Sequence, residues 1–135
     1  MKKKGAAKIN INIFRKPYII RRFRTQNIDN AGYPKTEYYD FKTLLNVQQV
    51  PANELQALPE GERTIKRVKT YGADKLQAAD ENTQINGDRL YYHGFWYECK
   101  SSNQWEYNLF SLAHFESVFA ILPPDKQKEM GVPEI

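Results

Sequence analysis

Hydrophobic and polar residues alternate most clearly in "TEYYDFKTLLNVQQV", residues 36–50. Tyr39, Phe41, Leu45 and Val47 fall on one face, and Asp40, Lys42, Asn46 and Gln48 on the other. This period of two predicts a half-buried strand, which Pro51 ends. "YIIRRFR", residues 18–24, predicts a shorter strand. "RTIKRVKTY", residues 63–71, predicts another, although Ile65 and Val68 stand three apart and leave a helical turn open. "DRLYYHGFWYECK", residues 88–100, predicts a hairpin turning at His93-Gly94, with Leu90 and Tyr92 before the turn and Tyr97 and Cys99 after it on the matching face. Such a turn needs positive φ, which Gly adopts freely and His tolerates better than most residues. In "FSLAHFESVFAIL", residues 110–122, Phe115, Phe119 and Ile121 share one face and Val118, Ala120 and Leu122 the other. This predicts a strand buried on both sides, inside a barrel or under a neighbouring subunit, with a buried helix as the rival.

Between these runs, "IDNAGYP" (residues 28–34) and "GADKLQAADENTQING" (residues 72–87) read as loops, and "SSNQ" (residues 101–104) as a second turn. Ile9, Ile11 and Ile13 alternate weakly, as in an arm that pairs with a neighbour's sheet edge. Pro123-Pro124 ends the last strand, and a polar tail follows. Short strands, close turn signals and little helix predict an all-β fold, a small β-barrel or sandwich. The divisions are a basic N-terminal arm (1–16), a barrel domain (17–123) with a long connecting loop, and a C-terminal tail (124–135), both arms being flexible.

Length fits this single domain, at 135 residues. The composition, 41% hydrophobic and 27% charged, is that of a soluble globular chain. No apolar run reaches the roughly 18–20 residues that span a bilayer, and no signal-peptide core stands near the N-terminus, so no membrane partner and a cytosolic site of synthesis are expected. Cys99 is the single cysteine, which excludes an internal disulfide and a cysteine-based zinc cluster. Charge is unevenly spread. Residues 1–24 hold nine basic side chains and no acid, whereas the rest holds eleven basic against sixteen acidic ones. A basic arm on an acidic body suits nucleic acid or an acidic protein surface, while Met1–Lys8 alone reads as a solvated tail.

Catalytic signals are sparse. His93 is accounted for by its turn, and His114 reads as a packed or surface residue. No Cys-His pair, Ser-centred elbow or Gly-rich phosphate loop stands out. Asp29, Asp40, Asp80 and Glu81 show no spacing that makes a carboxylate pair. The chain is therefore expected not to be an enzyme, with no catalytic residues, metal or cofactor. Two binding readings remain. "FRKPYIIRRFR" interleaves Arg15, Lys16, Arg21, Arg22 and Arg24 with aromatics, as a small β-barrel nucleic-acid-binding module requires, but the same cations also protect a plain strand edge. The other reading is a ring protein whose copies join through residues 18–24 or the N-terminal arm.

Residues 36–122 carry a resemblance. An aromatic strand ends in "NVQQVPANEL". "LPEGERT" and a basic strand ending "KTYGADKL" follow, then the hairpin "GDRLYYHGFWYECKSSNQW" and the closing "LAHFESVFAIL". In this order they resemble the head closure proteins of tailed bacteriophages, also called stoppers or head-tail joining proteins. The match departs from the family where Gln49 and Val50 precede Pro51, and in its longer basic N-terminal segment. The resemblance implies a small β-barrel that assembles as a homo-oligomeric ring, twelvefold or sixfold, in the virion neck, after synthesis in the host cytoplasm. Its partners would be portal and adaptor proteins on one side, tail or tail-terminator proteins on the other, and double-stranded DNA in the channel. It also implies no catalytic residue and no cofactor.

In that family the connection after the Val-Gln strand gates the channel, and residues 51–62 match its position. The gating set is then Pro51, Asn53, Glu54, Leu55, Leu58, Pro59, Glu60, Gly61 and Glu62, with Arg15, Lys16, Arg21, Arg22 and Arg24 facing a neighbour or DNA. Glu54, Glu60 and Glu62 would form an acidic collar that repels phosphates, leaving retention to steric closure. An ordinary surface turn, with one helical turn starting at Pro51 or Asn53, fits the same residues.

Overall fold

The computed structural model describes residues 15–24, 27–28, 32, 34–35, 37–80, 82, 85–107 and 112–134. The expectations for Ile9, Ile11 and Ile13, for Asp29 and for Glu81 lie outside the described residues. The elements are β1 (Lys16–Phe23), β2 (Asn27–Ile28), β3 (Pro34–Lys35), β4 (Tyr38–Gln49), α1 (Ala52–Gln56), a 3-10 turn (Glu60–Glu62), β5 (Arg67–Gly72), β6 (Arg89–Tyr92), β7 (Phe95–Tyr107), β8 (Leu112–Ile121) and α2 (Pro124–Met130).

Six strands close into an antiparallel barrel in the order β1-β4-β5-β8-β7-β6, with β6 returning to β1. β2 and β3 form a separate two-stranded pair around the predicted 28–34 loop. Closure follows from alternation. Along β4, Thr43 and Leu45 are buried, and Phe41 and Val47 pack against the same core, while Lys42, Leu44 and Gln48 are exposed. Tyr39 shares the inward phase but lies at the strand's end and is 36% exposed. Ile20, Leu45, Val68, Leu90, Tyr97, Cys99 and Phe119 meet inside, joined by Leu76 from the 73–88 loop. Each large apolar side chain buried in this way contributes about 1.5–3 kcal/mol.

The hairpin forms where the sequence placed it. His93 (φ 49°) and Gly94 (φ 87°) both take positive φ, and Leu90 stands opposite Tyr97. β5 begins later than expected. Ile65 lies in a turn and is 37% exposed; from Arg67 the strand is continuous, with Val68, Thr70 and Gly72 buried and Lys69, between them, buried as well. The 73–88 loop is drawn against β7 by Ala79 N–H to Cys99 O (3.0 Å) and Cys99 N–H to Asp88 O (2.8 Å). A Cβ at Gly87 would lie 2.6 Å from Cys99 O, so this approach requires glycine.

Three sequence expectations are corrected. Ser101–Gln104 do not form a turn: β7 continues through them to Tyr107, absorbing one residue as a bulge between Cys99 and Ser101. Their polar composition misled, because Ser102 and Ser117 hydroxyls pair across the two strands at 3.0 Å. Residues 18–24 do not offer a free sheet edge along their length, because β1 pairs with β4 throughout and with β6 at Ile19–Arg21. The polar C-terminal tail contains α2, started by Pro124 and closed by Gly131 (φ 65°). Gln127 Oε1 accepts from Trp96 N–H (2.8 Å), its amide donates to Trp96 O (2.8 Å) and Leu122 O (3.0 Å), and Trp96 Nε1–H donates to Gly131 O (2.6 Å). These bonds lie outside the barrel wall. Trp96 and Leu122 are accordingly buried by the chain itself.

Candidate functional site

The 51–66 connection leaves β4 at Pro51, whose fixed φ (−61°) and missing N–H suit the start of α1. Glu54 N–H and Leu55 N–H both bond to Pro51 O, at 3.0 and 3.2 Å. Pro59 repeats the device: Glu62 N–H reaches Pro59 O at 2.9 Å and closes the 3-10 turn. Arg63 Nε–H then ties back to Leu58 O at 2.9 Å. Leu55 and Leu58 are half-buried; Pro51, Asn53, Glu54, Pro59, Glu60, Gly61 and Glu62 are exposed. The helical turn at Pro51 is therefore present, and the connection is a folded strap rather than an open loop.

What the strap rests on was not read from the sequence. Arg67, Lys69 and Tyr71 alternate along the outer face of β5. Glu54 receives Lys69 Nζ on both oxygens, at 2.7 and 2.8 Å, and Glu62 Oε1 receives Arg67 Nη2 at 3.0 Å. Glu116 of β8 stands 3.9 Å from Lys69. Burial works against the Lys69 ammonium, but its bond to Glu54 and the charge of Glu116 outweigh burial and raise its pKa. Of the three acids expected to form a collar, Glu54 and Glu62 thus pair with cations of their own barrel, and Glu60 is exposed. The signal was the Arg-x-Lys-x-Tyr alternation of residues 67–71, hidden by the misplaced phase of Ile65.

The basic N-terminal set divides. Arg21 is buried and gives Asp40 two bonds, at 2.8 and 3.0 Å, with its guanidinium 4.0 Å from the Tyr38 ring and 4.9 Å from that of Trp96. Arg22 gives Asp88 bonds of 3.0 and 2.7 Å and donates to Lys75 O at 3.1 Å. The Asp88 bond raises the Arg22 pKa against the cost of burial. Arg21 and Arg22 are therefore both engaged by carboxylates of the same chain, Arg21 buried and Arg22 half-buried. Arg24 is exposed over Tyr39 at 4.7 Å, Lys16 is exposed, and Arg15 is half-buried.

The other candidates are also placed. His93 is exposed and stacks on Tyr92 (3.9 Å between centroids). His114 is buried edge-on to Tyr71, and burial followed by the charge of Arg15 lowers its pKa. Asp40 is held by Arg21, and Asp80 accepts from Asn82 N–H at 3.0 Å. Among the described residues, no group of three or more His, Cys, Asp or Glu is placed to hold a metal ion. Among them also, no helix is long and apolar enough to cross a membrane. No protein-family model and no curated protein matches this chain.

Proposed function

We propose that this protein is a ring-forming head closure protein of the bacteriophage neck, joining the portal-adaptor complex to the tail and retaining packaged DNA. The observation that carries the reading is the order of parts. The motifs that resemble the family fall on consecutive pieces of one closed barrel: "NVQQ" ends β4, "ANEL" begins α1, "KTYG" ends β5, the Tyr-rich hairpin is β6–β7, and "LAHFESVFAI" is β8. The strap lies over the outer face of β5 and leaves Asn53, Pro59, Glu60 and Gly61 exposed, available to a neighbouring copy or to the channel of a ring. The nucleic-acid module is less favoured, because Arg21 and Arg22, its central cations, are held by Asp40 and Asp88.

The test is electron microscopy of the purified protein mixed with its portal, adaptor and tail-terminator proteins. Rings of this chain stacked between portal and tail components are expected. A monodisperse monomer that joins neither component overturns the reading.

A further inference from the structure

Two ion pairs tie the strap to the barrel, and its apolar burial is limited to the half-buried Leu55 and Leu58. Neither α1 nor the 3-10 turn contributes a buried residue. A segment with so little apolar burial opens at low cost. Beneath it, the side chains of Arg67 and Lys69 are only 7% and 10% exposed, whereas those of Glu62 and Glu54 are 51% and 44% exposed. The cations are the covered partners and the acids are the cover.

Arg67 is also incompletely satisfied. Its Nη2 meets Glu62, but its Nε–H is buried with no acceptor among the described residues. A buried donor without a partner costs free energy in the closed state, and opening relieves that cost. Arg67 and Lys69 lie two residues apart on one strand face, so about 7 Å separates them along β5. Two cations at that spacing, one of them a planar guanidinium with a spare donor, suit phosphate oxygens.

We propose that the outer face of β5 is a latent phosphate-binding strip. Arg67 and Lys69 take backbone phosphates of double-stranded DNA when the strap lifts, and Glu54 and Glu62 are its internal competitors. The choice of DNA as the phosphate source rests on the neck reading above. The exchange is balanced in charge, since each departing carboxylate is replaced by one phosphodiester. Glu116 stays beside Lys69 and limits how tightly the strip holds. With the strap down, Arg67 and Lys69 are covered by the carboxylates; with the strap up, DNA gains two contacts.

The test is fluorescence anisotropy of a labelled 30-base-pair duplex with the full chain, over a salt series. The Glu54→Gln/Glu62→Gln variant is expected to bind at least about tenfold tighter than wild type at low salt. Two added phosphate contacts should steepen the slope of log K against log salt by about 1.8. Adding Arg67→Gln and Lys69→Gln should restore wild-type binding and slope, with circular dichroism showing the barrel intact. Hydrogen exchange at residues 52–66 should rise in the double variant, and in the wild type on adding duplex. Equal affinity and slope for wild type and Glu54→Gln/Glu62→Gln, or a gain that survives loss of Arg67 and Lys69, overturns the proposal. Competition by inorganic phosphate at the same phosphate concentration as duplex overturns the assignment to DNA. Ring stacking with neck proteins is a separate measurement, so either reading can fail alone.

Discussion

Asp88→Asn should be among the most damaging conservative changes in the chain. Asp88 is fully buried, yet it accepts two short bonds from Arg22 and a third, 2.8 Å long, from Gln77 N–H. It joins β1 to the loop that carries Leu76 into the core. Asparagine keeps the shape but turns an amide donor toward Arg22 and leaves the still-charged guanidinium without its counter-charge. Breaking a buried ion pair from one side costs about 3–5 kcal/mol. The Arg22 side chain is 28% exposed and regains some water, so the lower end, about 3 kcal/mol, is expected. For a chain of this size that lowers Tm by about 10 °C and the urea midpoint by about 2 M at unchanged m. Urea titrations of Arg22→Gln, Asp88→Asn and the double variant measure the coupling, which should be about 1–2 kcal/mol. A loss below about 1 kcal/mol for Asp88→Asn would refute the claim that this pair fastens the loop.

Gly94→Val should cost about 1–3 kcal/mol, because valine must occupy the positive φ of the turn; unchanged thermal stability would contradict the hairpin's role. Cys99 is buried, and burial followed by the Asp88 charge pushes its thiol up to about 12. Native protein at pH 8 should therefore react with a disulfide reagent at least about a thousandfold more slowly than unfolded chain, and fast native labelling would show an open route to the core. His114 has a folded pKa below 6.5, set by burial and Arg15 against Glu116. The unfolded chain therefore takes up the proton first, so its contribution is full above pH 6.5 and falls as the pH drops toward the folded value. Thermal melts from pH 7.5 to 5.5 should show a smaller loss for His114→Gln, and identical slopes would remove His114 as the cause.

The local pieces were legible from the residues alone. Alternation in residues 36–50 gave β4 its inward face, and His93-Gly94 imposed the hairpin, because both depend on neighbours within a few residues. The apolar "FSLAHFESVFAIL" required cover on both sides but did not say whose. Tertiary structure supplied it: Phe119 joins the barrel core, while Leu122 is buried where its carbonyl accepts from Gln127 of the chain's own α2. Long-range pairing also decided that Ser101–Gln104 extend a strand, since β8 supplies their partners from across the sheet. Charge was the least legible quantity. Arg21, Arg22, Glu54 and Glu62 looked like surface charges available to partners. Folding brings Asp40, Asp88, Lys69 and Arg67 to them from 5 to 66 residues away, and ion pairing depends on distance in space, which a run of like charges in sequence does not reveal.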